Sequence, residues 1–301
     1  MLLSDPVCPL GGSRLGHARV DLDALAEGFG KPLLEEARGF MIGGVPDDHF
    51  GYEVAAVYDR SQAAMFAPEV VNPAVEVLAG LAGDGAALEL AVGTGRVALP
   101  LAARGVPVSG IELSTAMLDR LRVKPGAKRL QVAVGDMATT RAPGRFRLVY
   151  LVFNTIGNLT TQDEQVACFA NAASHLDPGG VFVVEVAVPD LRRLPPGEHT
   201  RVFDHGPGHI GYDHYVDLVA QRAVSHHLHS DGTTVSETVT PFRYVWPSEL
   251  DLMARLAGLA LRHRWADWHR APFTADATSH VSVWEKPAPP PNTEAGGTPG
   301  C

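Results

Sequence analysis

The sequence predicts an α/β fold: a doubly wound, mostly parallel seven-stranded sheet with an inserted antiparallel β subdomain. Three observations predict it. Short apolar strands alternate with amphipathic helices from Ala87 to Val188, the pattern of a parallel sheet covered by helices on both faces. A stretch at 189–246, rich in Thr, Val, His and Tyr, breaks that rhythm and alternates with period two. Two more strand patterns, Leu261–Trp265 and His280–Glu285, then complete the count of seven.

In chain order, residues 1–48 are interrupted by glycines and read as a partly disordered extension. The core begins near 49. Asn72–Leu81 reads as a helix, Ala87–Val92 as a strand broken only by Glu89, and Val97–Arg104 as a helix. Val108–Leu113 is a strand, and Ser114 stands at the N-cap position of a helix running to Arg122. Leu130–Val134 and Phe146–Phe153 are strands. In the helix Gln162–His175, Val166, Phe169, Ala170 and Ala173 mark the expected inward face, and Asp177–Gly180 is expected to stop it. Val181–Val188 is the fifth strand, which ends the first core segment, 49–188. The insert, 189–246, reads as three or four antiparallel strands, with Asp231-Gly232 as a hairpin turn. The last core segment, 247–286, holds a helix at Leu250–Leu259, with Met253 and Leu256 on its apolar side, and the closing strands. Residues 287–301, rich in Pro and Gly, read as a disordered tail.

Composition limits what such a chain can do. The formal net charge is −9 with no Lys/Arg cluster, which disfavours a phosphate backbone as partner. No run approaches the ~18 apolar residues of a membrane helix, and the N-terminus lacks a secretion pattern. Cys8, Cys168 and Cys301 are too far apart for a disulfide framework or zinc spacing, so a reducing cytoplasm is the expected location. The expected partner is a small molecule, with neither nucleic acid nor membrane; a homodimer is compatible with the sequence.

Chemistry concentrates in Leu88-Glu89-Leu90-Ala91-Val92-Gly93-Thr94-Gly95-Arg96, where a buried strand gives way to a helix. Glycine there lets a ligand approach the backbone, because no Cβ intervenes. Glu89 can face a ligand's positive end, through an amino group or a bridging water. Glu112 follows at the end of the second strand, where one carboxylate can accept from both hydroxyls of a ribose. The third strand delivers Gly135-Asp136-Met137, and a carboxylate beside a backbone N–H can read an adenine. A competing pattern is Gly93-x-Gly95-x-x-Ala98, the relaxed dinucleotide form, with Glu112 at the offset of a ribose ligand. Against it, Glu89 would repel a pyrophosphate, and Gly135-Asp136 has no role there.

The chain resembles the class I S-adenosylmethionine-dependent methyltransferases of bacterial small-molecule type. Four elements carry the resemblance in order between about Tyr52 and Lys286: ELAVGTGR, GIELS at 110–114, GDM at 135–137 and LDPGG at 176–180. It implies a Rossmann-like sheet and S-adenosyl-L-methionine as cofactor. Ala91, Gly93 and Gly95 would hug the methionine part, Glu112 the ribose, and Asp136 with Met137 the adenine; Arg96, Leu113, Met117 and Asn154 complete the expected lining beside Glu89. Ala91 stands where the commonest pattern has glycine. The implied reaction is methyl transfer to an N or O atom of a small acceptor. A nicotinamide-dependent oxidoreductase and a non-catalytic S-adenosylmethionine-binding module are the alternatives.

Three further residues are candidates for catalysis. Asn154 lies just past the fourth strand, on the side of the sheet where ligands bind. Tyr58 precedes the core, where relatives close a tyrosine over the cofactor, and an aromatic face favours a cation. His214 shares a strand with Tyr212 and Tyr215 that can roof the site, and histidine titrates near neutrality. Seven histidines crowd the insert (His199, His205, His209, His214, His226, His227 and His229), with His227 and His229 on one strand face; no metal site is expected. Trp265 and Trp268 read as core.

Overall fold

The computed structural model describes residues 50–288, apart from 207 and 231–233. The extension at 1–48, the Asp231-Gly232 turn and nearly all of the 287–301 tail lie outside the described residues.

Seven strands form the main sheet: β1 (Ala87–Leu90), β2 (Val108–Glu112), β3 (Gln131–Val134), β4 (Phe146–Leu151), β5 (Leu176–Ala187), β10 (Ala260–Trp265) and β11 (Ser279–Glu285). Their order is β10-β11-β5-β4-β1-β2-β3. All pairings are parallel except those of β11, which runs antiparallel between β5 and β10. The order reverses between β1 and β4, so the loops after these strands diverge and leave a crevice at the carboxyl edge.

Helices α1 (Tyr52–Ser61), α2 (Pro68–Ala82), α3 (Ala98–Ala103), α4 (Thr115–Arg122), α5 (Gln162–His175) and α6 (Pro247–Leu256) accompany the sheet. Two apolar layers result. Leu88, Leu90, Ile111, Val149 and Phe182 pack with α5 and α6 on one face. Ala87, Val108, Tyr150 and Val183 pack with α2 and α3 on the other. Trp265 and Trp268 are partly buried against this second layer. No helix among the described residues is long and apolar enough to cross a membrane.

Strands β6 (Thr200–Gly206), β7 (His209–Asp217), β8 (Arg222–Ser230) and β9 (Val235–Arg243) form a separate antiparallel sheet in the order β6-β7-β8-β9. Phe242 and Tyr244 pack with Tyr215, Ala223, Leu191 and Leu194. Phe242 also stands over Gly157, just past β4, where an added Cβ would come within 3.6 Å of it. Arg243, 3% exposed, bolts this sheet to the core: it donates to Gln165 at 2.5 Å, Gln221 at 2.9 Å and Glu249 at 2.6 Å.

Three local readings change. On α5 the expected Phe169 and Ala173 are buried and Val166 packs against the core, but Ala170 is exposed and Gln165, Cys168, Asn171 and Ala172 turn inward, which shifts the centre of the face. The shift has a polar cause. Gln165 donates to the carbonyls of Ile156, Leu159 and Arg243, and Asn171 to those of Met137 and Thr140. Leu256 is 76% exposed, because α6 ends there and only Leu250, Met253 and Ala254 turn inward. Strand β5 starts at Leu176, so Asp177–Gly180 lies within it; the Gly179 N–H donates to Lys286 O and that of Lys286 to Gly180 O.

Candidate active site

The site is built from the carboxyl edge of β1, β2 and β4, and it starts at the turn after β1. Ala91, Gly93 and Gly95 all take positive φ, at 54°, 55° and 85°. The left-handed region favours glycine, so the departure at Ala91 is a residue held in a conformation that glycine adopts freely. The two glycines serve different ends. A Cβ at Gly95 would meet Leu121 Cδ1 at 2.5 Å, so this glycine permits close packing of α4. A Cβ at Gly93 would meet nothing within 4 Å. The space over Gly93 is open, and the backbone there is bare.

Glu112 ends β2 beside this opening. Its Oε2 accepts from Gly93 N–H at 2.7 Å and its Oε1 from Ser114 N–H at 2.9 Å. Each oxygen keeps a lone pair for a further donor. Burial raises its pKa, and the backbone donors work against that rise. Leu113 next to it is 67% exposed, an apolar side chain at the rim. Ser114 caps α4 by accepting from Met117 N–H, and Met117 packs with Tyr58 and Ala116. After β3, Asp136 accepts from Ala138 N–H at 2.6 Å, which curls the loop and buries Met137. Asn171 braces that loop from below.

Glu89 is placed differently from Glu112. It is 4% exposed, accepts from the Tyr150 hydroxyl at 2.9 Å and from the Ala98 N–H, and lies beneath the turn. Burial pushes its carboxyl up to about 8. It therefore carries its proton at neutral pH and braces the turn through Tyr150 and α3.

Helix α1 is fixed beside the turn and α4. Asp59 accepts from Thr94 Oγ1 at 2.6 Å and pairs with Lys124 Nζ, which also donates to Thr94 O at 2.8 Å. Ser114 Oγ donates to Phe50 O, and Arg120 to Ala56 O. These contacts seat Tyr58 near Arg96, Asp59 and Glu112, and burial raises its hydroxyl pKa. Arg96 lies over the Phe153 ring at 4.7 Å and donates to Met65 O. Sequence reasoning missed Asp59, Thr94, Lys124 and Asn171; the one available signal was Asp59 following Tyr58.

The loop past β4 is strained. Phe153 and Asn154 take φ of 62° and 61° in succession. Two consecutive non-glycine residues in this region persist only when neighbours fix them. Glu185 does so, accepting from Phe153 N–H and Trp268 Nε1–H at 2.9 and 2.7 Å. Asn154 Oδ1 accepts from Ala187 N–H at 2.7 Å. The remaining candidate lies on the inserted sheet. His214 is exposed, lies 3.0 Å from Thr200 Oγ1, and is on the side of β7 opposite Tyr215. The charges reaching it are those of His226 and His199, within the insert. Asp213, its neighbour, lies on the Tyr215 side.

A mostly parallel sheet in the order β3-β2-β1-β4-β5-β11-β10, a glycine turn after the first strand and an acid at the end of the second define a nucleoside-cofactor enzyme. The comparisons say which one. The family model "Methyltransferase domain" matches residues 87–180. The solved CcbJ methyltransferase from Streptomyces caelestis is 37% identical, with 80% of this chain and 98% of that one covered and a TM-score of 0.71. The cypemycin N-terminal methyltransferase of Streptomyces sp is 26% identical over 66% of this chain and 82% of its own. The dTDP-3-amino-3,4,6-trideoxy-alpha-D-glucopyranose N,N-dimethyltransferase of Streptomyces venezuelae is 39% identical over 33% of this chain and 40% of its own. The chain belongs to the class I S-adenosylmethionine-dependent methyltransferases. S-adenosyl-L-methionine is its cofactor, and the oxidoreductase alternative falls. The residues fit that cofactor, because the space over Gly93 is open and Glu112 keeps lone pairs beside it.

Proposed function

We propose that the protein methylates an amine nitrogen of a small acceptor seated between the carboxyl edge of the main sheet and the core-facing side of the inserted sheet. The observation that carries this reading is Asp213. Its carboxyl lies on the side of β7 that bears Tyr215, accepts from Ser225 and faces Arg201. Burial pushes it up to about 6. Near neutrality it is largely ionised, which suits both the recognition of an ammonium and the removal of its proton. The named relatives act on an N-terminus and on an amino sugar, which agrees with nitrogen as the acceptor atom.

When bound, S-adenosylmethionine supplies a methyl group on a sulfonium whose leaving group is a neutral thioether. Gly93 and Ala91 would lie against the methionine part, with Gly95 and Arg96 completing the turn. Glu112 would accept from the ribose hydroxyls, and Leu113, Met117, Asp136 and Met137 would enclose the adenine. Glu89 would act from beneath, by holding the turn. Tyr58 would present its ring to the sulfonium, which an aromatic face attracts. Asn154 would border the acceptor on the β4 side. Asp213 would take the proton from the acceptor ammonium, freeing the lone pair that attacks the methyl carbon. Alignment of that attack supplies most of the rate, up to about 7–11 kcal/mol.

The test is methyl transfer from labelled cofactor to matched pairs of small amines and alcohols, with amino sugar nucleotides and short peptides in the panel. Label is expected on amines. Label on the alcohols alone overturns the assignment of nitrogen. In the Asp213→Asn variant, the rise of kcat with pH through about 6 should disappear; an unchanged profile removes Asp213 from the reaction.

A further inference from the structure

On the side of β7 and β8 that bears Asp213 and Tyr215, further along the strands, the inserted sheet brings three histidines together. His209 and His229 are direct cross-strand partners on β7 and β8, and His227 lies two residues along on the same side of β8. One ring nitrogen of each lies within 4.8 Å of the others. His209 Nε2 is 3.1 Å from His227 Nδ1. Nitrogens ligating one tetrahedral zinc ion stand roughly 3.3 Å apart, as Zn–N distances of about 2.0–2.1 Å require.

The surroundings are those of a ligand set. His209 Nδ1 is 2.6 Å from Asp204 Oδ2, which leaves Nε2 directed at the cluster. A carboxylate on the far ring nitrogen is the usual support of a metal-binding imidazole, fixing tautomer and ring orientation. Gly211 is the cross-strand partner of His227, so no side chain there crowds the ring. Phe203 fills that place instead and meets the His227 ring edge-on at 5.3 Å. The three rings are half-buried and stacked nearly parallel, with His209 and His229 centroids 4.5 Å apart. Each must turn about its Cβ–Cγ bond to aim its lone pair at a common ion, and partial exposure leaves room for the turn.

We propose that His209, His227 and His229 form a binding site for a divalent transition metal ion of the zinc class, with Asp204 as the support of His209 and a fourth position open to water. Three imidazoles select zinc and its borderline neighbours over Mg2+ and Ca2+, which prefer oxygen. An ion held by β7 and β8 cross-links the two central strands of the inserted sheet. This proposal is independent of the acceptor assigned above.

Tag-free, chelator-stripped full-length chain is titrated calorimetrically with Zn2+ alone and Mg2+ alone. One Zn2+ per chain should bind with a dissociation constant of about 10 µM or tighter, and Mg2+ should not bind. His227→Ala and His229→Ala should each weaken Zn2+ binding about 100-fold, and Asp204→Asn about 10- to 100-fold. His263→Ala, on β10, should leave it unchanged. Retained S-adenosylhomocysteine binding shows that each variant folds. X-ray absorption at the zinc edge of the unmutated chain gives a reading that needs no variant: three imidazole ligands are expected. Absence of stoichiometric Zn2+ binding, binding undiminished in a folded His227→Ala or His229→Ala chain, or fewer than three imidazoles at the metal would each overturn the proposal.

Discussion

Replacing Gly93 by alanine should separate what the turn does for the fold from what it does for the ligand. Gly93 sits at φ 55°, and nothing lies within 4 Å of where its Cβ would stand. The fold therefore loses only the cost of an L-residue in the left-handed region, roughly 1–2 kcal/mol. For a domain of this size that is a fall in Tm of roughly 2–8 °C. The ligand loses more, because the new methyl enters the space assigned to its methionine part. Overpacking of that kind costs about 2 kcal/mol, or about thirty-fold in affinity. Gly258 is the control: its φ is 74°, a Cβ there also meets nothing within 4 Å, and it follows α6 rather than β1. Gly258→Ala should match Gly93→Ala in thermal melting and leave S-adenosylhomocysteine binding, measured by calorimetry, intact. If Gly93→Ala binds that ligand as well as Gly258→Ala does, the open space over Gly93 is not where the cofactor lies.

Two further substitutions probe the supports of the site. Glu89 is raised by burial to about 8 from an ordinary 4.5, so the folded chain holds its proton where the unfolded chain has released it. That contribution is complete below pH 4.5 and is lost as pH rises through about 8. At ~1.4 kcal/mol per pH unit, Glu89→Gln should gain on the native protein by about 2 kcal/mol between pH 6 and 8 in denaturant titrations; a gap independent of pH contradicts the assignment. Arg243 is buried and bonds to Gln165, Gln221 and Glu249, and Arg243→Ala takes the cation from the Glu249 carboxylate and leaves it Gln162 and Gln221 as donors. Breaking such a set costs about 3–5 kcal/mol, so Tm should drop by roughly 10 °C; a drop under about 3 °C would show that the bolt between insert and core carries little.

The sheet was legible because its central strands are largely apolar and its turns carry glycine, and sequence pattern reads both. Gln162–His175 shows where that reading stops. Its boundaries agree with the observed helix, yet its inward face is displaced, because Gln165 and Asn171 turn inward to satisfy backbone carbonyls. A pattern of apolar residues does not register a buried amide whose partners come from distant loops. The acids at the sheet edge divide in the same way. Glu112 could be placed from its position at a strand end, and it accepts from the Gly93 and Ser114 N–H groups there. Glu89 is one strand position short of the turn, and that alternation sends it beneath, to Tyr150. His214 and Asp213 are neighbours in sequence and opposite in the sheet, so a register that sequence did not fix decides which faces the core. The histidine cluster depends on the same register, since His209 meets His229 only through the pairing of β7 with β8.

The central claim is that the carboxyl edge after β1 and β2 holds S-adenosylmethionine through Glu112. Calorimetric titration of S-adenosylhomocysteine into the native chain and into Glu112→Ala tests it most directly. The account predicts one site in the native chain and an affinity loss of about 2–3 kcal/mol in a variant that still melts cooperatively, since bonds to a carboxylate contribute on that scale. No binding by the native chain, or equal binding by Glu112→Ala, would contradict it.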